Sequence, residues 1–425
     1  MEWFFFVLFV SALLFALNLN FYKKADRYFG RFAPRVRPAL PAVFLLFNSP
    51  YFFLVGMWLV GRKLHQVPQG FLKWFVYPFY AWAVMLLGFA LLAAPKDLLV
   101  GALRGARWLW KRLRPESPPP AAAEGRQLSR RGFLHRTAAV VPPLLFGISA
   151  YGLYDSDNLE ISPEQAIPVS HLPRALDGLT ITQISDLHAG AYIRERELAR
   201  VVEEVNRLRS NLVVVTGDIL DSSLEMLPVA QAALERLRSE LGVYGILGNH
   251  DYYSDRRRPG YPGCLRIIEG MERVGVKMLR NSRAEVRVGG ERLVLVGVDW
   301  TGRPRGNPNI YNSAATRSGL KAALAGEDSG APRLLLAHHP HVFFEAPDFG
   351  MALTLAGHTH GGGQIVIAEN NGQPVALGSA IFRYVSGLYR EGDHFLYVNR
   401  GIGFVGVPIR IHCPPEISRF RLVKA

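Results

Sequence analysis

Hydrophobic positions follow different patterns in the two halves of the chain. In the first half, uncharged stretches of 20, 24, 22 and 18 residues occupy residues 3–22, 38–61, 74–95 and 137–154. Each is long enough to cross about 30 Å of hydrocarbon as a helix, and the first three are rich in Phe, Leu and Trp. The fourth is the shortest and contains Pro142 and Pro143, so a buried or interfacial helix is its alternative interpretation.

Residues 155–425 contain short apolar runs instead. The runs are leucine-rich or β-branched, as buried strands are, and read LTITQIS, NLVVVTG, YGILG, RLLLA and MALTLAG. Between the first two runs, apolar residues recur at helical spacing from Arg194 to Arg209, and residues 228–237 and 265–274 show similar patterns. Helices that alternate with short strands predict an α/β fold with four αββα layers, in which two sheets pack face to face between helices.

Polar motifs follow the ends of most of these runs. They are Asp186-Leu187-His188, Gly217-Asp218, Gly248-Asn249-His250-Asp251, His338-His339-Pro340 and Gly357-His358-Thr359-His360. Loops at the carboxyl ends of strands carry ligand-binding groups in layered α/β folds, so distant residues can converge there. Carboxylates, an amide oxygen and imidazoles, with no thiolate, favour manganese, iron or zinc over calcium. The carboxylate of Asp218 can bridge two such ions, a pair suited to in-line displacement at phosphorus.

The ordered motifs resemble those of the calcineurin-like metallophosphoesterase superfamily, over about residues 175–425. The stretch GVYGILGNHDYY and the ending YVSGLYREGDHFLYVNRGIGFVGVPIRIHCPPEI resemble its membrane-anchored bacterial branch. That branch includes phosphodiesterases and enzymes that cleave the pyrophosphate bond of UDP-2,3-diacylglucosamine. The resemblance therefore implies a phosphoester hydrolase with two divalent metal ions as cofactors.

The resemblance also implies a role for each motif residue. One ion is expected to bind Asp186, His188 and His360, the other to bind Asn249, His338 and His358, and Asp218 to bridge the two. His250 resembles the family's phosphate-contacting acid, and its neighbour Asp251 is expected to orient and charge the ring. His338 is preferred to His339 as the ligand because the family places the ligand two residues before the proline.

Two positions depart from the family pattern. The run Gly361-Gly362-Gly363-Gln364 has one glycine more than usual, which would loosen the loop beneath His360. Trp300 follows Asp299 where the branch often has a second acid, so substrate contacts are expected to differ there.

Basic residues are concentrated in the membrane half. Residues 1–154 hold 19 Lys and Arg against 5 acids, whereas residues 155–425 hold 30 of each. Because the catalytic half has no basic surplus, nucleic acid is not an expected partner despite a pI of about 9.9. Six basic residues follow the first apolar stretch, three follow the second and ten follow the third, which puts the first and third connections in the cytoplasm.

This orientation decides which side of the bacterial cell membrane holds the catalytic half. With four spans, residues 155–425 lie in the periplasm or on the extracellular face; with three, they face the cytoplasm. The segment SRRGFLH, residues 129–135, resembles a twin-arginine export signal, although a basic flank of the fourth span explains it equally well. Residues 115–124 read as a stiff linker, and Cys264 and Cys413 either pair or remain core thiols.

These patterns predict two parts: a membrane segment, residues 1–154, and a metallophosphoesterase domain, residues 155–425. The expected function is hydrolysis of a phosphodiester or pyrophosphate bond in a lipid-linked or membrane-proximal substrate. One alternative is a UDP-2,3-diacylglucosamine pyrophosphatase of lipid A synthesis with a cytoplasm-facing site. Another is a non-catalytic, membrane-tethered binding module. The presence of all seven expected ligands argues against it, because such modules usually lack some of them.

Overall fold

The chain was analysed as a computed structural model that describes residues 2–113, 140–221, 223–254, 261–301, 311–327, 330–370 and 373–425. It divides into two compact units. The first comprises Met1–Arg62 and Gln69–Tyr151, and the second comprises Lys63–Pro68 and Gly152–Ala425. The expected linker at residues 115–124 and the twin-arginine-like segment at residues 129–135 lie outside the described residues.

Apolar helices form the first unit. They are α1 (Glu2–Phe32), α2 (Leu40–Leu59), α3 (Tyr77–Leu113) and α4 (Val141–Asp155). In the described part of the chain, three helical segments are long and apolar enough to cross a membrane: Val7–Phe32, Arg37–Leu59 and Gln69–Trp110. Helix α4 has 15 residues, about 22 Å at 1.5 Å per residue, so the fourth span remains a prediction.

Aromatic side chains pack the helices of this unit around Trp82. The Trp82 ring stacks on Phe47 at 4.8 Å between centroids and meets Phe44 edge-on at 5.2 Å. Its indole N–H donates to Oδ1 of Asn18 at 3.1 Å, which satisfies a polar group among apolar ones. Phe146 lies 5.4 Å from Phe47, so α4 shares the core of the other helices.

The first sheet of the second unit has seven strands in the order β1-β15-β3-β4-β5-β6, with β2 also paired to β15. The strands are β1 (Glu160–Ile161), β2 (Gln165–Val169), β3 (Thr180–Ile184), β4 (Leu212–Thr216), β5 (Val243–Ile246), β6 (Val276–Met278) and β15 (Glu416–Lys424). Strands β3, β4, β5 and β6 are parallel, so their carboxyl ends share one edge.

The second sheet has six strands in the order β13-β14-β10-β9-β8-β7. The strands are β7 (Ser282–Val288), β8 (Glu291–Gly297), β9 (Arg333–Leu336), β10 (Met351–Ala356), β13 (Gly387–Glu391) and β14 (His394–Val398). Strands β8, β9, β10 and β14 are parallel. A separate hairpin pairs β11 (Val366–Asn370) with β12 (Gln373–Ala376).

Four layers result from these elements. Buried side chains of both sheets, such as Val214 and Leu336, share one core between the sheets. The outer face of the first sheet is covered by α5 (Glu195–Leu208), α6 (Leu227–Leu234) and α8 (Pro262–Arg273), with the short helix α7 (Asn249–Tyr253) at its edge. Helix α9 (Ser313–Ala323) packs on the second sheet. The predicted αββα fold is confirmed.

Candidate metal centre

The predicted ligands lie just beyond the carboxyl ends of five parallel strands. Asp186 follows β3, Asp218 follows β4, Asn249 follows β5, His338 follows β9 and His358 follows β10. Backbone bonds tie these ends together: Asp186 N–H donates to Gly217 O at 3.0 Å, and Gly357 N–H donates to His338 O at 3.1 Å. Both sheets therefore contribute ligands to one edge of the sandwich.

The first group of ligand atoms contains Asp186, His188 and His360. Nε2 of His188 lies 3.1 Å from Nε2 of His360. Oδ1 of Asp186 lies 3.2 Å from the same His360 nitrogen and 4.0 Å from that of His188. All three side chains are buried, and their donor atoms lie within 4.8 Å of one another.

The second group contains Asn249, His338 and His358. Oδ1 of Asn249 lies 3.0 Å from Nε2 of His338 and 2.9 Å from Nδ1 of His358. Asp218 connects the groups, because its Oδ2 lies 3.5 Å from Nε2 of His188 and 3.2 Å from Nε2 of His338. The structure thus brings together all seven residues expected as ligands, with Asp218 in the bridging position.

Lone pairs face one another in these groups, which is the arrangement that a cation satisfies. Nδ1 of His338 lies 2.8 Å from Thr216 O, a carbonyl that can only accept, so this nitrogen carries a proton. Nε2 of His338 faces the oxygens of Asp218 and Asn249, and in the neutral ring this nitrogen presents a lone pair to them. Within the described residues Nδ1 of His360 and Nε2 of His358 have no hydrogen-bond partner. The residues therefore fit two divalent ions.

Protonation preferences of the histidines agree with this fit. Burial lowers the pKa of His360 to about 4 and lowers that of His358 well below its usual value. Burial also opposes protonation of His338, but the charges of Asp218 and Asp186 raise its pKa to about 9. His360 and His358 are thus held in the neutral form that binds metal, and His338 holds a proton that an ion would displace.

The ligand loops adopt an uncommon backbone conformation. Five of the seven expected ligands have positive φ: Asp186 (50°), His188 (47°), Asp218 (51°), His358 (72°) and His360 (50°). The left-handed region costs a non-glycine residue about 1 kcal/mol or more, and such strain concentrates at functional sites. The fold therefore maintains a costly backbone where the ligands converge.

Two glycines allow the ligand loops to approach closely. A Cβ at Gly248 would lie 2.2 Å from Oδ1 of Asp218, and one at Gly357 would lie 2.0 Å from Oγ of Ser185. Oγ of Ser185 donates to Oδ2 of Asp186 at 2.5 Å. Any side chain at either glycine would displace one of the two carboxylates.

A carboxylate that the sequence did not single out lies beside His250. Nδ1 of His250 lies 3.3 Å from Oδ1 of Asp221, which also lies 3.5 Å from Nδ1 of His188. Burial opposes ionisation of Asp221, but its close contacts with these two rings keep the pKa of its carboxyl well below the usual range. Asp221 is therefore a carboxylate positioned to stabilise positive charge on the His250 ring.

Asp251, the residue expected to partner this ring, has contacts of its own with backbone N–H groups. Its buried carboxylate accepts hydrogen bonds from the backbone N–H groups of Gly248 at 2.9 Å, Leu220 at 3.0 Å and Ile219 at 3.3 Å. These bonds tie the loop after β4 to the start of α7. Asp251 thus fixes the loops that carry Asp218 and Asn249, and Asp221 stands beside the ring.

Aromatic side chains form one wall of the site. The Trp300 ring lies 5.2 Å from His358 and 5.7 Å from His338. The His339 ring lies tilted against Trp300 at 5.8 Å and against His358 at 4.9 Å, while Nε2 of His338 faces the ligand group. Phe382 meets His358 edge-on at 5.5 Å. Bulky rings therefore occupy the side where the family branch often has an acid.

The additional glycine after His360 does not leave a loose loop. Gly361, Gly362 and Gly363 all have positive φ, and a Cβ at Gly361 would lie 2.3 Å from Sγ of Cys413. Gln364 Nε2 donates to Val407 O and Ile409 O at 2.9 and 3.2 Å. The segment is held by close packing and by the Gln364 amide. Cys413 and Cys264 are both free and buried, so the alternative of core thiols is the one observed.

Comparisons with known proteins agree with this geometry. The profile of the calcineurin-like phosphoesterase family matches residues 179–362. A zebrafish transmembrane protein with metallophosphoesterase domain is 31% identical over 287 residues, covering 65% of this chain and 61% of the relative. The uncharacterized metallophosphoesterase YkuE of Bacillus subtilis strain 168 is 29% identical over 303 residues, covering 70% of this chain and 98% of the relative.

The resemblance inferred from the motifs is confirmed by these matches. The chain spans 61% and 60% of the length of the zebrafish and bovine relatives. The described groups of histidine and aspartate side chains fit the dinuclear metal site of that family. The chain thus carries a calcineurin-like metallophosphoesterase domain, the domain of a family of metal-dependent phosphoester hydrolases.

Proposed function

We propose that the protein is a membrane-anchored hydrolase that cleaves a phosphodiester or pyrophosphate bond in a lipid-linked or membrane-proximal substrate. The observation that carries this proposal is the pair of buried ligand groups that share Oδ2 of Asp218. Divalent ions bound there would lower the pKa of a bound water, so that a nucleophile is available at neutral pH. They would also stabilise charge on the phosphoryl oxygens.

The chain's own residues supply proton transfer. The His250 side chain is 18% exposed, and its ring lies edge-on to His188 at 4.5 Å, so it borders the ligand groups. A protonated His250 donates its proton to the departing oxygen, and Asp221 stabilises the charged ring before the transfer. Residues of the site thus divide into seven ligands, one acid and one carboxylate that supports the acid.

Activity of the full-length protein in detergent tests the proposal. We expect manganese-dependent hydrolysis of bis-p-nitrophenyl phosphate that exceeds hydrolysis of p-nitrophenyl phosphate. The Asp218→Asn variant should lose both activities, because it lacks the bridging carboxylate. Hydrolysis of the monoester alone would contradict the diesterase assignment, and no hydrolysis of any phosphoester would favour a binding module.

Exposed aliphatic side chains beside the site support a lipid-linked substrate. Phe382 contacts His358. Two residues that precede Phe382 in the sequence are exposed: Ile381 at 58% and Leu377 at 64%. The turn Leu377–Ala380 packs against the loop after His360, since a Cβ at Gly378 would lie 2.7 Å from Gly362. An acyl chain beside the scissile phosphate would find apolar partners there.

Substrates of increasing alkyl chain length test this part. We expect KM to fall with chain length in the wild type and this dependence to weaken in Leu377→Ser and Ile381→Ser. Leu265→Ser is the control, because Leu265 is 49% exposed on helix α8. Equal KM values for short and long chains in the wild type would contradict a lipid-linked substrate without affecting the hydrolase assignment.

The segment Lys63–Pro68, which follows α2, supports a catalytic domain on the outer face. Arg194 donates to Leu64 O at 3.1 Å and to Val67 O at 2.8 Å. Glu225 pairs with Lys63 at 2.6 Å and with His65 at 2.8 Å. Hydrogen bonds cannot form across a bilayer, so this segment and the catalytic domain lie on one side of the membrane.

An even number of crossings therefore separates Pro68 from Gly152. The long helix after Pro68 provides one crossing, and α4 is the candidate for the other. The positive-inside rule puts the basic connection before α2 and the basic connection between the two members of this pair in the cytoplasm, which leaves Lys63–Pro68 outside. These arguments favour a periplasmic or extracellular site over a cytoplasmic UDP-2,3-diacylglucosamine pyrophosphatase.

Single cysteines labelled with a membrane-impermeant maleimide test this orientation. Arg62→Cys and Glu235→Cys should react in spheroplasts, whereas Arg35→Cys should react only after lysis. The native cysteines are buried and give a low background. Opposite accessibility of Arg62→Cys and Glu235→Cys would contradict a shared side. Reversal of all three results would support the cytoplasmic enzyme, which hydrolysis of UDP-2,3-diacylglucosamine would then identify.

A further inference from the structure

A buried arginine holds the loop that lies behind the first ligand group. Arg410 is fully buried, and its guanidinium has no carboxylate partner among the described residues. Nη1 donates to Arg400 O at 3.1 Å and to Cys413 O at 3.0 Å. Nη2 donates to Gly401 O at 3.0 Å and to Gly403 O at 2.6 Å. Burial of a charged guanidinium is costly unless its N–H groups are hydrogen-bonded, and these four carbonyls accept those bonds.

That loop is in direct contact with the loop of Asp186 and His188. Ile402 N–H donates to Ser185 O at 3.0 Å, and Gly403 N–H donates to Asp186 O at 2.7 Å. A Cβ at Gly403 would lie 2.6 Å from Cβ of His188. The backbone at Gly403 therefore lies against the two ligands with no space for a side chain.

The same loop also restricts the position of His360, the third ligand of this group. A Cβ at Gly401 would lie 2.8 Å from Cβ of Asp186 and 3.2 Å from Nδ1 of His360. Sγ of Cys413 lies 3.5 Å from His360 O, and Cys413 O is itself an acceptor of Arg410. All three ligands of one expected ion thus rest on backbone that a single guanidinium holds.

We infer that Arg410 is a positioning residue for one of the two metal sites, the site of Asp186, His188 and His360. It acts through the backbone of residues 400–403 and Cys413 and touches no ligand side chain itself. The contacts described for Asn249, His338 and His358 do not involve this loop, so Arg410 distinguishes the two sites. The inference rests on the proposed dinuclear centre.

Manganese binding to the metal-free, full-length protein tests the inference. In Arg410→Lys, a shorter and non-planar donor cannot hold four carbonyls, so we expect one of the two ions to bind 10- to 100-fold more weakly, the loss typical for groups that orient metal ligands. The paramagnetic resonance signal of a coupled manganese pair should give way to that of an isolated ion. Raising the manganese concentration should restore the coupled signal.

Arg333→Lys is the matched control. Arg333 also donates to backbone carbonyls, Phe349 O at 3.1 Å and Glu327 O at 3.2 Å, and its Nε likewise has no partner among the described residues. It lies at the amino end of β9, away from the ligand edge. Both manganese sites should keep wild-type affinity in this variant.

Gly403→Ala provides an independent variant if Arg410→Lys does not fold. Its added methyl group displaces His188 directly and should weaken the same single ion. Wild-type affinity for both ions in the folded variants, or equal weakening of both, would overturn the inference. Failure of the wild type to bind two ions would instead contradict the proposed centre itself.

Discussion

Nδ1 of His250 lies 3.3 Å from Oδ1 of Asp221, although the two residues are 29 positions apart in the chain. The neighbouring acid, Asp251, directs its carboxylate to three backbone N–H groups instead. We therefore expect the two aspartates to have separable roles. Asp221 is expected to stabilise a charged ring, and Asp251 is expected to fix the positions of the loops.

Replacement of Asp221 by Asn should lower kcat more than it changes stability. The amide cannot balance the charge of a protonated His250, so we expect kcat to fall by about 10- to 100-fold, the cost typical of a supporting partner. An unchanged kcat would exclude Asp221 from the reaction.

Replacement of Asp251 by Asn should lower stability more than it lowers kcat. The amide provides one acceptor for three backbone donors, and an unsatisfied buried donor costs about 1–3 kcal/mol. For a domain of this size each kcal/mol corresponds to about 2–4 °C in melting temperature. We expect a lower melting temperature while kcat stays close to the wild-type value. A large fall in kcat at wild-type stability would instead return the supporting role to Asp251.

Metal ions should stabilise the protein through Asp218. Ligands that bind only the folded state raise its stability, by about 4 kcal/mol at 1,000 times the dissociation constant. We expect chelation to lower the melting temperature of the catalytic domain and manganese to restore it. Asp218→Asn should remove most of this response, as measured by differential scanning calorimetry. A full response in that variant would remove Asp218 from the bridging position.

The metal-free protein should lose stability as the pH rises from about 6.5 to 9. The pKa of His338 is raised from 6.5 to about 9 in the folded state by Asp218 and Asp186, against the effect of burial. The folded state therefore binds this proton more tightly than the unfolded state does, and the gain is lost as the pH passes 9. Thermal unfolding across this range checks the sign, and His338→Asn should flatten the dependence.

Gly248→Ala should abolish activity without removing any ligand. The new Cβ would lie 2.2 Å from Oδ1 of Asp218, so the bridging carboxylate must move. Gly270→Ala is the control, because its Cβ would meet side-chain atoms of Gln231 and Leu227 at 3.2 Å, far from the ligands in sequence. Wild-type activity of Gly248→Ala would show that the position of Asp218 is not critical.

The sequence was informative where periodicity and motif coincide. Apolar runs predicted the strands, and the polar residues after them predicted which side chains converge at one edge. Helix α5 was expected over residues 194–209 and spans Glu195–Leu208, with its buried side on Leu198, Val201, Val202 and Val205 as the pattern indicated. Both results depend on local signals that a single segment contains.

Contacts between distant segments could not be predicted from such local signals. Asp221 lies in the loop after β4, where an aspartate is also a common turn residue, and only the fold brings it to His250. Arg410 belongs to no periodic pattern. Likewise, the length of the run Gly361–Gly363 indicated looseness, whereas Cys413, 50 residues or more away in sequence, fills the space beside it.

The contacts of Lys63–Pro68 also impose an order on biosynthesis. Leu64 leaves the ribosome 130 residues before Arg194, the side chain that will hold it. The apolar helix that precedes Leu64 is therefore synthesised before the second unit can be completed. A fragment that begins at residue 155 would lack part of its own surface. The short connection between two apolar helices thus contributes to the folded unit that holds the candidate metal centre.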